Sequence, residues 1–241
     1  MINNKQQKIV IVGQGAIGLL CYHHLQQVKH SVTLLSSKTN LKTSFTAKAK
    51  PSYLSSDSNK PMYLYTPYQA KEAIKYPLIY AKVKDIKQAD IIIFCVKAYQ
   101  VFNALKLIAE FIQTSCLVLL SHNGMGTLTE IESLLPYKQR VLAMLTTHGC
   151  LRNVPLNITH TGLGQSDLGL LTGSMTASEK NALTALLNKA LPCFIFEPNI
   201  KRKQWLKLAI NCVINPLTAI YDIENGQVNL TKFTEVKVQL I

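Results

Sequence analysis

The run Trp205-Leu-Lys-Leu-Ala-Ile-Asn-Cys-Val-Ile-Asn-Pro-Leu217 carries an amine and two amides at a spacing that could serve carbonyl chemistry. Lys207, Asn211 and Asn215 fall at i, i+4 and i+8, so on a helix they share one face. Leu208, Ala209, Ile210, Cys212, Val213 and Ile214 fill the remainder, which predicts a mostly buried helix with one narrow polar stripe. Buried polar groups without partners cost about 1–3 kcal/mol each, so the stripe asks for a polar ligand in a cleft. A stripe that faces water, with the lysine stem laid along the surface, fits the same spacing. The spacing leaves both readings open.

A second chemical signal lies near the start of the chain. In Ile9-Val-Ile-Val-Gly-Gln-Gly-Ala-Ile-Gly18 a short apolar run leads into three glycines and then a helical stretch. Gly13 permits a tight turn out of the strand, Gly15 lets backbone approach a pyrophosphate, and Gly18 lets helix and strand pack closely. Gln14, Ala16 and Ile17 complete the turn, whose N–H groups and partial positive charge suit a dinucleotide's phosphates. An NAD site expects a carboxylate about 20 residues past the glycines to hold the ribose hydroxyls. Here Ser36-Ser37-Lys38 ends the second apolar run, and the first acid is Asp57. Hydroxyls and an ammonium suit a 2′-phosphate, so NADPH is expected over NADH.

Two further loops follow apolar runs directly. Lys97 follows Phe94-Cys-Val, and Asn123 lies in Ser121-His-Asn-Gly-Met-Gly126. Ligands of open parallel sheets bind beyond the carboxyl ends of the strands, where both residues would lie. A plain loop lysine and an Asn-Gly turn account for them equally well.

These residues need a scaffold. Strand-like runs at 8–12, 31–35, 91–96, 116–120 and 141–145 are mostly apolar, without strict polar alternation over their length. They are separated by helical stretches, among them one through about Val28 and another over 101–111. That pattern predicts an α/β fold with a mostly parallel sheet covered on both faces. Segment 41–88 yields no firm reading. Residues 156–171 suggest a hairpin, 178–191 a helix, and 201–214 a further helix interrupted by Pro216. A domain boundary is placed near residue 198.

Composition narrows the classes. With 48% apolar and 16% charged residues among 241, the chain can bury a core, unlike a disordered one. No apolar stretch approaches the ~18 residues a membrane span needs, and the N-terminus lacks a secretory pattern. The net charge of +13 invites polyanions, yet Lys and Arg are spread along the chain with no nucleic-acid signature. Neither nucleic acid nor membrane is expected as a partner. The six cysteines form no CxxC pair and mostly lie in apolar runs, which reads as reduced core thiols in a cytoplasmic protein. On that reading the sequons at Asn157 and Asn229 carry no sugar. Cys21, His23, His24 and His122 fall at no familiar ligand spacing, so these are read as surface or helix histidines and no metal is expected.

The segments VGQGAIG, VKAYQ, LLSHNGMGT, TTHG and KLAINCVINPLTA, in this order, resemble the signature segments of ketopantoate reductase (2-dehydropantoate 2-reductase). The resemblance runs from Lys8 to about Leu240. It implies NADPH-dependent reduction of 2-dehydropantoate, an α-keto acid, to pantoate on the pantothenate and coenzyme A route. It implies an N-terminal Rossmann-type domain (1–198) followed by an all-helical C-terminal domain (199–241), with the active site between them. It further implies that Lys207 is the catalytic lysine and that Asn211, Asn215 and Asn225 contact substrate. Asn123 would touch both substrate and nicotinamide. Lys97 and Cys150 would join Gly13, Gln14, Gly15, Ala16, Ile17 and Gly18 on the cofactor. Members of the family usually continue through several more helices, which bring a substrate-binding serine and an acidic residue near the cofactor. A shortened helical domain is therefore expected, with exposed apolar faces around 213–217 that a second copy could cover, and with NADP(H) binding without turnover as the alternative function.

Overall fold

The structure, a computed structural model, describes residues 6–36 and 61–223. The first strand, β1 (Lys8–Val12), leads through the glycine turn into helix α1 (Ala16–Gln27) and strand β2 (Ser31–Leu35). Strands β3 (Met62–Thr66) and β4 (Ile74–Pro77) follow, then α2 (Val83–Lys87), β5 (Ile91–Phe94) and α3 (Ala98–Lys106). Next come β6 (Leu117–Leu120), α4 (Thr127–Ile131), β7 (Arg140–Thr146), β8 (Gly149–Val154), β9 (Asn157–Gly162) and β10 (Ser166–Thr172). Helix α5 (Ala177–Ala190), strand β11 (Phe194–Phe196) and the long helix α6 (Ile200–Tyr221) complete the described chain.

Among the described residues seven strands form one sheet in the order β11-β10-β7-β6-β5-β1-β2. The five from β7 to β2 run parallel, while β10 pairs antiparallel with β7 and parallel with β11. The fold is therefore α/β, with a mostly parallel sheet and a helical C-terminal region, as the alternation of apolar runs and helices predicts. Strands buried on two faces must be apolar at both parities. Ile9, Ile11, Ile91, Ile93, Leu117 and Leu119 point to one side, against Leu19 and Leu20 of α1 and Leu183 and Leu187 of α5. Val10, Val12, Ile92, Phe94, Val118 and Leu120 point to the other, against Ile86, Val101, Leu105 and Ile131 of α2, α3 and α4.

A second sheet, β4-β3-β9-β8, covers the outer side of α1. It supplies the strands that segment 41–88 did not reveal, although residues 37–60 lie outside the described set. It also corrects the hairpin expected over 156–171. Strand β9 pairs antiparallel with β8, whereas β10 crosses to the large sheet. Period-2 alternation identifies a strand but not its sheet.

Two readings of the C-terminal helix change. Helix α6 runs through Pro216 without a break. Proline removes one N–H from the ladder, and the carbonyl it strands, at Cys212, lies on an exposed residue where water can satisfy it. The hydroxyl of Thr218 donates to the Asn215 carbonyl (3.0 Å), recovering one bond at the same turn. Nor is α6 mostly buried. Ile200 is its one buried residue, while Trp205, Leu206, Ile210, Val213, Ile220 and Tyr221 are all exposed. Apolar composition sets the tendency to bury, but burial needs a facing element, and among the described residues α6 meets chiefly β10.

Candidate active site

The glycine turn is built as its spacing requires. Gly13 has φ +109°, and a Cβ there would lie 2.7 Å from Val96 Cγ1 and 2.8 Å from the Cys95 carbonyl oxygen. A Cβ on Gly18 would be driven into the Gly13 carbonyl oxygen. Gly15 differs: its nearest contact would be the Cys95 carbonyl oxygen at 3.7 Å, an ordinary distance. Two glycines are thus needed by the fold, whereas the third leaves open a cradle that a side chain would fill. Gly15 caps α1 with extended backbone, no side chain caps that helix end, and its first turn holds no acid. Free N–H groups and an unopposed helix dipole at this corner suit an anion.

The turn lies where the chain reverses its path across the sheet: β2 flanks β1 on one side and β5 on the other. The ends of β1, β5, β6 and β7 therefore stand side by side along one sheet edge. At ~4.8 Å per strand, the row spans about 14 Å from β1 to β7. Gly13 backs onto Cys95 at the β5 end, and Gly124 in the loop after β6 approaches Ala98 at the start of α3. Lys97, exposed, is the N-cap of α3, where its backbone N–H donates to Gln100 Oε1 (3.1 Å). Asn123 is exposed in the loop after β6. Cys150, on β8, donates its thiol to the Ala16 carbonyl (3.5 Å) and so touches the start of α1.

Lys207 reaches this edge from α6. Its Nζ donates to the Thr146 carbonyl at the end of β7 (2.7 Å). Thr146 is itself fixed, since its Oγ1 accepts from the His148 N–H (3.2 Å) and the Ser166 hydroxyl (3.0 Å). One turn earlier on α6, Lys203 is engaged differently, with Nζ 2.7 Å from Asp167 Oδ1 and 3.4 Å from Glu197 Oε2. The hydrogen bond to Asp167 leads in raising the Lys203 pKa. Burial lowers that of Lys207, and the Asp167 charge opposes this only in part. Among the described residues Lys207 forms no ion pair, which leaves a partly desolvated ammonium with proton-donating capacity to spare. Thr146, Asp167 and Lys203 had no signal in the sequence beyond the TTHG segment: a backbone carbonyl carries no residue-type signature, and Asp167 and Lys203 meet from 36 residues apart.

Asn211 is half-buried and Asn215 exposed on the same stripe as Lys207; Asn225 lies outside the described residues. Ser36 closes β2 beside β1 and is buried, while Ser37, Lys38 and Asp57 lie outside the described set. His23 and His24 lie on helix α1, as expected of helix histidines. His23 is buried on α1, with Nδ1 2.9 Å from the Tyr63 hydroxyl, because the second sheet covers a helix face the sequence leaves blank. Among the described residues no group of three or more His, Cys, Asp or Glu could hold a metal.

A family model described as ketopantoate reductase PanE/ApbA matches residues 9–173, and its C-terminal counterpart matches 199–240. A 2-dehydropantoate 2-reductase of Vibrio cholerae serotype O1 is 31% identical over 229 residues, covering 95% of this chain and 68% of that protein. The chain belongs to the ketopantoate reductase family. A 2-dehydropantoate 2-reductase of Yersinia pestis is 37% identical over 146 residues, which cover 60% of this chain and 46% of that protein. A solved ternary structure of D-mandelate dehydrogenase with NADH and anilino(oxo)acetate superposes with a TM-score of 0.72 at 22% identity. It covers 89% of this chain and 64% of that one, and at this identity it speaks for the fold alone.

Proposed function

We propose that the chain is an NADPH-dependent 2-dehydropantoate reductase, forming pantoate for the pantothenate and coenzyme A route. The observation that carries this reading is the position of Lys207. Its ammonium is held on the Thr146 carbonyl in the same row of strand ends as the glycine turn. A dinucleotide whose diphosphate rests at that turn can extend along the row toward the amine. Residues 1–198 are assigned to cofactor binding and 199–241 to the helical part that brings the acid.

When bound, NADPH supplies the hydride that reduces C2 of the keto acid. The protein's own residues handle charge and proton. Lys207 stabilises the negative charge that grows on the carbonyl oxygen and passes its Nζ proton to that oxygen. Its lowered pKa makes the proton easier to give up than that of a solvated lysine. Asn211, Asn215 and Asn225 orient the keto acid without adding a competing charge, and Asn123 reaches both substrate and nicotinamide. Gly13, Gln14, Gly15, Ala16, Ile17 and Gly18 hold the diphosphate, with Lys97 and Cys150 beside it. Ser36 with its two successors favours a 2′-phosphate over bare ribose hydroxyls. The free thiols of Cys21, Cys95 and Cys116, buried in the core, are in keeping with a cytoplasmic protein.

A second reading, NADP(H) binding with little catalysis, is favoured by the exposure of Asn215 and of the apolar side of α6. A second copy packed on that side would answer it, and sedimentation measures whether one does. NADPH oxidation with ketopantoate and a panel of other α-keto acids, alongside calorimetric NADPH binding, separates the two readings. Turnover of ketopantoate with kcat/KM for NADPH above that for NADH supports the reductase; binding without turnover supports the second.

A further inference from the structure

We infer that Arg152 is a further cofactor-binding residue, a guanidinium clamp on the diphosphate. The inference rests on the dinucleotide-binding reading of the glycine turn and adds a guanidinium to the residues placed there. Among the described residues strand β8 is the edge of the second sheet, paired only with β9, and it lies against α1. Cys150 and Arg152 are two residues apart on β8, whose register with β9 shifts between Leu151 and Val154. Both reach the glycine turn: Cys150 Sγ donates to the Ala16 carbonyl (3.5 Å), and Arg152 Nη1 donates to the Gln14 carbonyl (3.1 Å).

The arginine is exposed and, among the described residues, forms no ion pair. Among the described residues its one hydrogen bond goes to a neutral carbonyl inside the turn, between Gly13 and Gly15. A guanidinium offers five N–H donors in a rigid fork. One is spent on positioning, and the rest keep a full charge beside a helix N-terminus that has no acid in its first turn. A lone structural brace would not need that charge. A dianionic diphosphate lying against the Gly15 cradle does, and the fork matches its oxygens. The Gln14 contact fixes the guanidinium before the ligand arrives, which lowers the ordering cost of binding.

Isothermal titration of the full chain and of Arg152→Gln with NADPH, ADP and adenosine 2′-monophosphate tests this. ADP carries a diphosphate, and adenosine 2′-monophosphate does not. The substitution is expected to weaken NADPH and ADP about ten-fold, roughly 1.4 kcal/mol. Binding of adenosine 2′-monophosphate and the Tm should hold, and the salt dependence of the NADPH Kd should become shallower. Unchanged NADPH and ADP affinity, or an equal loss for all three ligands, overturns the assignment. Arg152-dependent ADP binding by a chain that reduces no keto acid leaves the clamp standing while the reductase reading falls. A wild-type chain that binds neither NADPH nor ADP overturns both.

Discussion

Lys207 and Lys203 are one helical turn apart, yet their neighbours assign them different tasks. Two carboxylates hold Lys203, whereas Lys207 meets a carbonyl and partial burial. An acid must be protonated to act, so kcat should fall as pH rises through the Lys207 pKa, at a pH below the 10.5 of a solvated lysine. A pH–rate profile flat through pH 10 would count against that role. The cysteines divide in the same way. Burial pushes the Cys116 and Cys150 thiols up to about 12, and a hydrogen bond with Cys21, followed by burial, holds that of Cys95 well above its ordinary range. The thiolate is the nucleophile, so among the described cysteines DTNB should label exposed Cys193 and Cys212 first. Rapid labelling of Cys95 in the native protein would contradict this core. The residue types of the polar stripe and glycine turn were legible in the sequence. The Thr146 carbonyl and Arg152 were not, because their roles come from strands that fold back from distant parts of the chain.

At the scale of elements, the turn between β1 and α1 separates glycines needed for packing from one with room for a Cβ. Gly18→Ala must push α1 off the Gly13 carbonyl, and overpacking of this kind typically costs about 1–3 kcal/mol. Gly15→Ala meets only an ordinary contact, so its Tm should stay near wild type while NADPH affinity drops. Thermal unfolding with NADPH titration checks both, and a Gly15→Ala chain that binds NADPH normally would show the cradle to be unused. The apolar strands of the large sheet were readable because burial on two faces forces both parities to be apolar. Strand β8, Gly149-Cys-Leu-Arg-Asn-Val154, is an exposed edge among the described residues and carries no such constraint. The burial expected of helix α6 fails for the converse reason: its apolar residues say what it could bury, but not what is there to cover it.

The whole molecule couples its two sheets through a histidine–tyrosine cluster that the sequence hid. His23 stacks on Tyr65 (3.8 Å between ring centroids), and Tyr65 Oη lies 3.3 Å from His24 Nε2 and 3.4 Å from His160 Nδ1. His160 Nε2 lies 3.3 Å from His148 Nδ1, which also accepts from the Gly164 N–H (3.2 Å). Burial, and then the charge each histidine would feel from the others, lowers His23 and His24 to about 4; burial leads in lowering His148 and His160 as well. The unfolded chain, with histidines near 6.5, binds more protons in this window. Their stabilisation is therefore complete above pH 6.5 and is lost as pH falls toward 4. The Tm should drop across that interval, by about 2–4 °C for each kcal/mol lost, and His160→Gln should flatten the drop. A Tm independent of pH between 6.5 and 4.5 would refute the coupling.

The account turns on the proton donor, and one measurement addresses it most directly: steady-state NADPH oxidation with ketopantoate by wild type and Lys207→Ala, with NADPH affinity measured on both. The account predicts that kcat falls by about 10²–10⁴-fold, the range for a positioned general acid, while the NADPH Kd stays within a few-fold. A Lys207→Ala protein that turns over near the wild-type rate would contradict it.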